Sequence, residues 1–355
     1  MVIIVSLNAS PPDSGQRVRI FLPTFRRANL LPRAIESLRA QTVTDWICEL
    51  HNDDPDDTFP AELLRRLNDP RIRLFQHERN LGPVATFNLF YRPVTEPFFS
   101  ILEDDNGWEP QFLEKMLETM MAFPNAILAW CNQRIWQESP GGSWRDTGSF
   151  VNPETASNLA PLLIHWARLQ QIMGGVHANG AMLMRSRPGL SYATPDIPFA
   201  GVEAYRERMV PHPMVYVPQP LASFSRTLQT ARTQGATDWG GFQVIMAATF
   251  FRQNVCSEAQ LKEIWAHFNN QQPQMTNELI AVAFVCREAR PFLHYAGFNN
   301  WFRFLLNVGR HPLSTFHKLR ARTEHPNWWQ QLDLLTAARF TEAGSNPPAP
   351  LSSQP

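Results

Sequence analysis

Two rhythms of apolar and polar positions divide the first third of the chain. From Val18 to Leu22 a β-branched, apolar run closes on Pro23-Thr24, the pattern of a strand covered on both faces. Between Asn29 and Ala40, Leu30, Leu31, Ala34, Ile35 and Leu38 recur at three- and four-residue spacing, which predicts a helix with one buried stripe. The alternation continues, with strands expected over Trp46–Leu50, Ile72–Phe75 and Phe98–Leu102 and helices over Ala61–Leu67, Val84–Tyr91 and Gln111–Met121. Strand and helix in turn predict an α/β fold, a mostly parallel sheet with flanking helices. In such a sheet ligands bind beyond the carboxyl ends of the strands.

Residues 125–226 are less regular, with strands expected near Ile127–Cys131, Ala181–Met184 and Met214–Val217. From about Trp239 the period becomes helical, over Phe242–Gln253, Glu258–Phe268, Asn277–Glu288 and Trp301–Leu306. These shifts divide the chain into a leader over 1–16, an α/β domain over 17–238 with halves at 17–122 and 123–238, and an α-helical C-terminal region over 239–341. The last residues, 342–355 (EAGSNPPAPLSSQP), have the composition of a disordered tail.

Composition narrows the function classes. Of 355 residues, 44% are apolar and 18% charged, enough for a sizeable core and too few charges for disorder. Thirty-two basic and thirty-two acidic residues cancel, so no basic face argues for nucleic acid as a partner. Cys48, Cys131, Cys256 and Cys286 are scattered in apolar surroundings without a CxxC pair, and read as buried thiols. Met1–Leu7 lacks a basic leader and a cleavage site, and the longest apolar run, Leu279–Cys286, is far below the ~20 residues of a membrane span. A cytoplasmic location is expected.

Two acidic clusters fall where strands should end: Asn52-Asp53-Asp54-Pro55-Asp56-Asp57 and Glu103-Asp104-Asp105. Carboxylates at a rigid strand end suit a hard divalent cation, which completes its shell with a substrate's phosphates. Such a cation eases departure of a nucleoside diphosphate. Glu103 and Asp105, two apart, share a face if the strand geometry persists.

These residues resemble the family 2 glycosyltransferases, nucleotide-sugar-dependent enzymes of the GT-A fold. The matching segments are Leu22-Pro23-Thr24-Phe25-Arg26-Arg27, then Ala34 to Gln41-Thr42, the turn Asn52-Asp53-Asp54, Arg79-Asn80-Leu81-Gly82 with Phe87-Asn88, and Leu102-Glu103-Asp104-Asp105 with Trp108 and Pro110. The likeness is specific over Val18–Leu117, weakens to residue 226 and ends there. Asn52 stands where the family has an aspartate, which passes the base contact to Asp53, and Glu103 stands in place of an aspartate. The resemblance implies an inverting transferase that moves a sugar from a nucleoside-diphosphate donor, a UDP-sugar foremost, to a hydroxyl of a glycan, lipid-linked or small-molecule acceptor. It implies donor binding by Pro23, Thr24, Phe25, Arg27, Asp53, Asn80, Gly82, Asp104 and Arg226 in a nucleotide-sugar half, and Mn²⁺ or Mg²⁺ held by Asp105 and Glu103.

In the acceptor half, Ala200-Gly201-Val202-Glu203-Ala204 is similar to the family's segment for the catalytic base, with Ala204 at the usual aspartate position. Glu203 is then the expected base and Asp196 the reserve. The loop Gly174–Gly180 implies acceptor contacts from His177 and Asn179. Thr227–Asp238 has one leucine and no aromatic residue, and is expected to be a loop able to close over a ligand. Asn300–Arg322 mixes aromatic and basic residues, which allows peripheral contact with the inner face of a membrane. Two other classes share the carboxylate site: a sugar-1-phosphate nucleotidyltransferase, disfavoured because Pro23–Arg27 holds no glycine, and a non-catalytic nucleotide-sugar binder.

Overall fold

The computed structural model describes residues 2–5, 18–152, 160–164, 172, 178–187, 193–194, 202–203, 205–207, 210, 213–228, 236–254 and 256–330. His177 and Asp196, and residues 229–235 of the expected closing loop, lie outside them. The chain divides into two compact units. The first comprises Met1–His165, His177–Ala193 and Val210–Ala231, the second Trp166–Val176, Thr194–Met209 and Arg232–Pro355.

The first unit is built on one sheet. Its strands are β1 (Val2–Val5), β2 (Val18–Thr24), β3 (Trp46–Asn52), β4 (Ile72–His77), β5 (Phe98–Ile101), β6 (Leu128–Glu138), β7 (Trp144–Phe150), β8 (Leu162–Ile164), β9 (Met182–Arg185) and β10 (Met214–Arg226). They run in the order β1-β4-β3-β2-β5-β9-β6-β10-β8, with β7 paired to β6. The stretch β4-β3-β2-β5 is parallel, as the alternating pattern predicts. Past β5 the sheet is mixed: β9 runs antiparallel to both β5 and β6, and β10 parallel to β6. Strand β1, inside the segment expected to be a leader, pairs antiparallel with β4.

Helices α1 (Leu31–Arg39), α2 (Phe59–Leu67), α3 (Pro83–Asn88) and α4 (Phe112–Ala122) flank the sheet. The stripe read from α1 is its buried face: Leu31, Ala34, Ile35 and Leu38. Every residue of β3 is buried, which leaves its end rigid. Register places Thr24 opposite Asn52 and Phe21 opposite Ile101, so β2, β3 and β5 finish at one edge with both acidic clusters beyond it.

Strand β10 is much longer than the Met214–Val217 expected. Pro218 and Pro220 lie inside it, and register shifts against β6 at Val217/Pro220 and Pro220/Ala222 absorb them, as bulges do. The consequence is functional, because the extra residues carry Ser225 and Arg226 to the edge described below.

The described part of the second unit is helical: α5 (Ala236–Gln253), α6 (Glu258–Gln271), α7 (Thr276–Val285), α8 (Phe292–Tyr295), α9 (Phe298–Arg310) and α10 (Pro312–Glu324). Ala236–Asp238, expected in the closing loop, open α5. Ser257 and Gln260 cap α6 reciprocally. The core of this unit gathers Val244, Ile245, Phe250, Ile264, Leu279, Ile280 and Phe292. Cys48, Cys131 and Cys286 are buried free thiols and Cys256 is half-buried. Among the described residues no helix is long and apolar enough to cross a membrane.

Candidate functional site

The acidic turn after β5 is built from inside outward. The Leu102 N–H donates to the Phe21 carbonyl at 2.9 Å, carrying the β2–β5 pairing to the brink of the triplet. Asp104 is next, accepting hydrogen bonds from the Thr24 hydroxyl and the Phe25 backbone N–H. Burial first, and the neighbouring Asp105 charge second, push its carboxyl up to about 7 against the pull of Arg27 and these two donors. A carboxyl so poised is stabilised as an anion by any further positive charge. Asp105 is the more open of the two, with its Oδ2 3.7 Å from Arg27 Nη1, and both side chains are about a fifth exposed. That Arg27 nitrogen is buried and donates no hydrogen bond, so it faces this edge with a donor in hand.

Glu103 points the other way. Its Oε2 accepts from Asn106 Nδ2 at 2.8 Å, and Asn106 Oδ1 accepts from the Ser225 N–H at 2.9 Å. Trp108 Nε1 donates to the Gly180 carbonyl at 2.7 Å. A Cβ at Gly180 would lie 2.9 Å from Glu103 Oε2 and 3.2 Å from Asn106 Nδ2, closer than side chains pack. Replacing Gly180 with alanine is therefore expected to displace the acidic turn and lower kcat/KM about tenfold, a fraction of what a 1 Å misplacement costs. Unchanged kinetics with an unchanged circular-dichroism spectrum would show that the turn absorbs the methyl.

The β3 end is organised around Asp53. Its carboxylate accepts from His77 Nδ1 at 2.8 Å, the Leu81 N–H at 2.8 Å and the Gly82 N–H at 3.0 Å. Burial alone would raise its pKa, but these donors overcome it and hold the group below the usual carboxylate range. Behind it, His51 Nδ1 and His77 Nε2 stand 3.0 Å apart. Gly82, at φ 78°, takes a backbone angle that side chains resist, and its N–H also reaches Asn80 Oδ1 at 2.7 Å. Asn52 is spent locally on Gln76, the Asp57 carbonyl and the Asp54 N–H. Phe25 is 39% exposed at the same edge, with Arg26 over its ring and paired to Asp54 at 2.6 Å.

Arg33 is the residue the motif reading overlooked. From α1 it donates to the Asp105 backbone carbonyl and to Ser225 Oγ, and its guanidinium stacks 3.7 Å from the Trp144 ring. It ties the acidic turn to the end of β10. Only its place in the first turn of a motif-bearing helix marked it in the sequence; its partners are more than seventy residues away.

The first unit thus brings Thr24, Phe25, Arg27, Asp53, Asn80, Gly82, Asp104 and Asp105 to one sheet edge, and Arg226 follows Ser225 there, exposed. Asn179 is buried, and its amide oxygen accepts from the Tyr91 hydroxyl. Glu203 belongs to the second unit, half-buried in a helical stretch.

The parallel β4-β3-β2-β5 half, the antiparallel β9 and the acidic turn at the strand ends are the architecture of GT-A glycosyltransferases. The fold is similar to that of Staphylococcus aureus TarS 1–349 in complex with UDP, at a TM-score of 0.54 and 12% identity over 87% of this chain and 92% of that one. Residues 19–186 match the profile of Glycosyl transferase family 2. The succinoglycan biosynthesis protein ExoO of Rhizobium meliloti is 30% identical over 31% of this chain and 32% of its own length. The UDP-Glc:alpha-D-GlcNAc-diphosphoundecaprenol beta-1,3-glucosyltransferase WfgD of Escherichia coli is 25% identical over 29% of this chain and 41% of its own. The chain therefore spans roughly a third to two-fifths of these relatives' length.

Proposed function

We propose that the protein is an inverting, metal-assisted glycosyltransferase that moves a sugar from a UDP-sugar to a hydroxyl of a glycan or lipid-linked acceptor. The observation that carries this reading is the strand-end arrangement of Asp104 and Asp105. Thr24 and Phe25 hold Asp104 at the β2–β5 edge, which leaves Asp105 beside the unsatisfied Arg27. Among the described residues no three His, Cys, Asp or Glu side chains form a closed metal cage. An open pair of carboxylates fits a cation that takes its remaining oxygens from a diphosphate. Asp105 would hold the cation with Asp104 behind it, while Glu103, turned toward Asn106, keeps the turn in shape. When bound, Mn²⁺ or Mg²⁺ neutralises charge on the leaving diphosphate.

The residues of the chain divide the remaining work. Phe25 and the 80–82 turn offer a face and backbone groups for the base, and Asp53 sets that turn. Arg27 and Arg226 supply positive charge for the diphosphate. Glu203, with Asp196 in reserve, takes the acceptor hydroxyl proton on the face opposite the leaving group, and His177 contacts the acceptor. The lipid-linked acceptor is supported by the acceptor in the name of WfgD, and the UDP donor by the nucleotide bound in TarS.

A thermal-shift screen of nucleoside diphosphates with and without Mn²⁺ tests the reading. Selective stabilisation by UDP plus metal is expected, since a ligand at a hundred times its Kd adds about 2.7 kcal/mol. Asp53→Ala should reduce the shift by loosening Leu81 and Gly82. A shift that ignores both metal and base would sink the proposal, and binding without donor hydrolysis would leave a nucleotide-sugar binder.

A further inference from the structure

Helix α9 has two apolar faces. Its inward face holds the buried Asn300 and Phe304, with Trp301 edge-on to Phe304. At 100° per residue, Phe298, Phe302, Leu305 and Leu306 fall within an arc of about 100° roughly opposite Phe304. They are 83%, 55%, 63% and 42% exposed. Helix α10 repeats the arrangement: Thr315, Lys318 and Ala321 are buried, whereas Leu313, Phe316 and Leu319 are exposed. Single exposed apolar residues are ordinary, but a contiguous set marks a surface that meets something else.

Charge indicates what that is. From Phe298 to Thr323 the chain has five basic residues and no Asp or Glu. Lys318 is used internally by Glu278, while Arg303, Arg310, Arg320 and Arg322 are exposed. Arg320 lies 5.1 Å from the centre of the Phe316 ring. A second copy meeting this face would set arginine against arginine, the one carboxylate of the two helices, Glu324, being paired with His317. A layer of anionic lipid headgroups accepts both features, since apolar side chains enter the acyl boundary and guanidinium groups stay at the phosphates.

We propose that the exposed faces of α9 and α10 dock the protein on an anionic lipid bilayer, with Phe298, Phe302 and Leu305 at the acyl boundary. This deepens the lipid-linked acceptor reading, but it is tested without donor, metal or acceptor, so either can fail alone. The full chain is sedimented with vesicles of phosphatidylcholine alone or mixed with phosphatidylglycerol. Binding to the mixed vesicles is expected to exceed binding to neutral ones about tenfold or more, and to weaken with salt. Replacing Phe298, Phe302 and Leu305 together with serine should cut binding at least about tenfold with little change in melting temperature, because these side chains are mostly exposed and the two phenylalanine rings stack on each other. Arg303→Gln with Arg310→Gln should erase the preference for phosphatidylglycerol. The proposal is overturned by absence of vesicle binding, by full binding of the serine variant, by equal binding to neutral vesicles, or by a dimer that the serine variant converts to monomer.

Discussion

Asp105→Ala is expected to lower glycosyl transfer by roughly 10³-fold, the several kcal/mol that a bound cation contributes to diphosphate departure. The fold should survive, because the Asp105 side chain is about a fifth exposed at the end of a strand. The turn itself is held through atoms the substitution leaves in place: the Asp105 backbone carbonyl on Arg33, Asn106 on Ser225, and Asp104 on Thr24 and Phe25. The informative measurement is kcat/KM against Mn²⁺ concentration, alongside the melting temperature. Wild-type turnover would remove Asp105 from the site, and collapse of the fold would recast it as structural. Asp105→Glu, which keeps the charge but lengthens the arm, should fall between the two.

The largest effect on stability is expected at Arg19. Its guanidinium grips Glu96 through Nε and Nη2, both at 2.7 Å, and pairs with Glu49 on the next strand. Arg19 is 15% exposed, Glu49 4% and Glu96 6%. Removing it deprives Glu96 of its guanidinium and leaves Glu49 with His51 and the more distant Arg92, and breaking a buried pair costs about 3–5 kcal/mol. Arg19→Met should therefore lower the melting temperature strongly, and adding Glu49→Gln with Glu96→Gln should restore much of the loss. Burial by itself would raise both carboxyl pKa values. For Glu96, Arg19 overcomes burial, and for Glu49, His51 and Arg19 do, so both end below the usual range. A depressed carboxyl contributes stability that is present above the unfolded-state value, about 4.3 for Glu, and is lost as pH falls through the folded value. The gap between wild type and Arg19→Met should then be widest near neutrality and narrow in acid. A deficit that stays constant down to pH 4 would mean that Arg19 acts through packing rather than charge.

Much of the candidate site was legible because its parts are local. A strand followed by Pro23-Thr24-Phe25, an acidic turn after β3 and a triplet after β5 are each contiguous in the chain, and in a parallel sheet strand ends collect at one edge. The periodicity of α1 names its buried residues correctly for the same reason, since a helix face depends on spacing alone. The helical character of the C-terminal region was equally readable from its period.

What tertiary structure decided is which way side chains face and which distant groups hold them. Glu103 and Asp105 share a face only while strand geometry lasts; the chain turns after Leu102, sending Glu103 to Asn106 and leaving Asp105 beside Arg27. Asp53, expected from the sequence to contact the base, has a carboxylate that accepts from donors 24 to 29 residues onward and so anchors the 80–82 turn. Arg33 and Ser225, 192 residues apart, meet because bulges carry β10 past two prolines. Asn300–Arg322 shows its mixture of aromatic and basic residues in the sequence, but only packing separates Phe304, which is buried, from Phe302, which faces water. Local spacing determines which elements form and which face is apolar, while contacts distant in sequence decide which apolar face is covered and which carboxylate stays open.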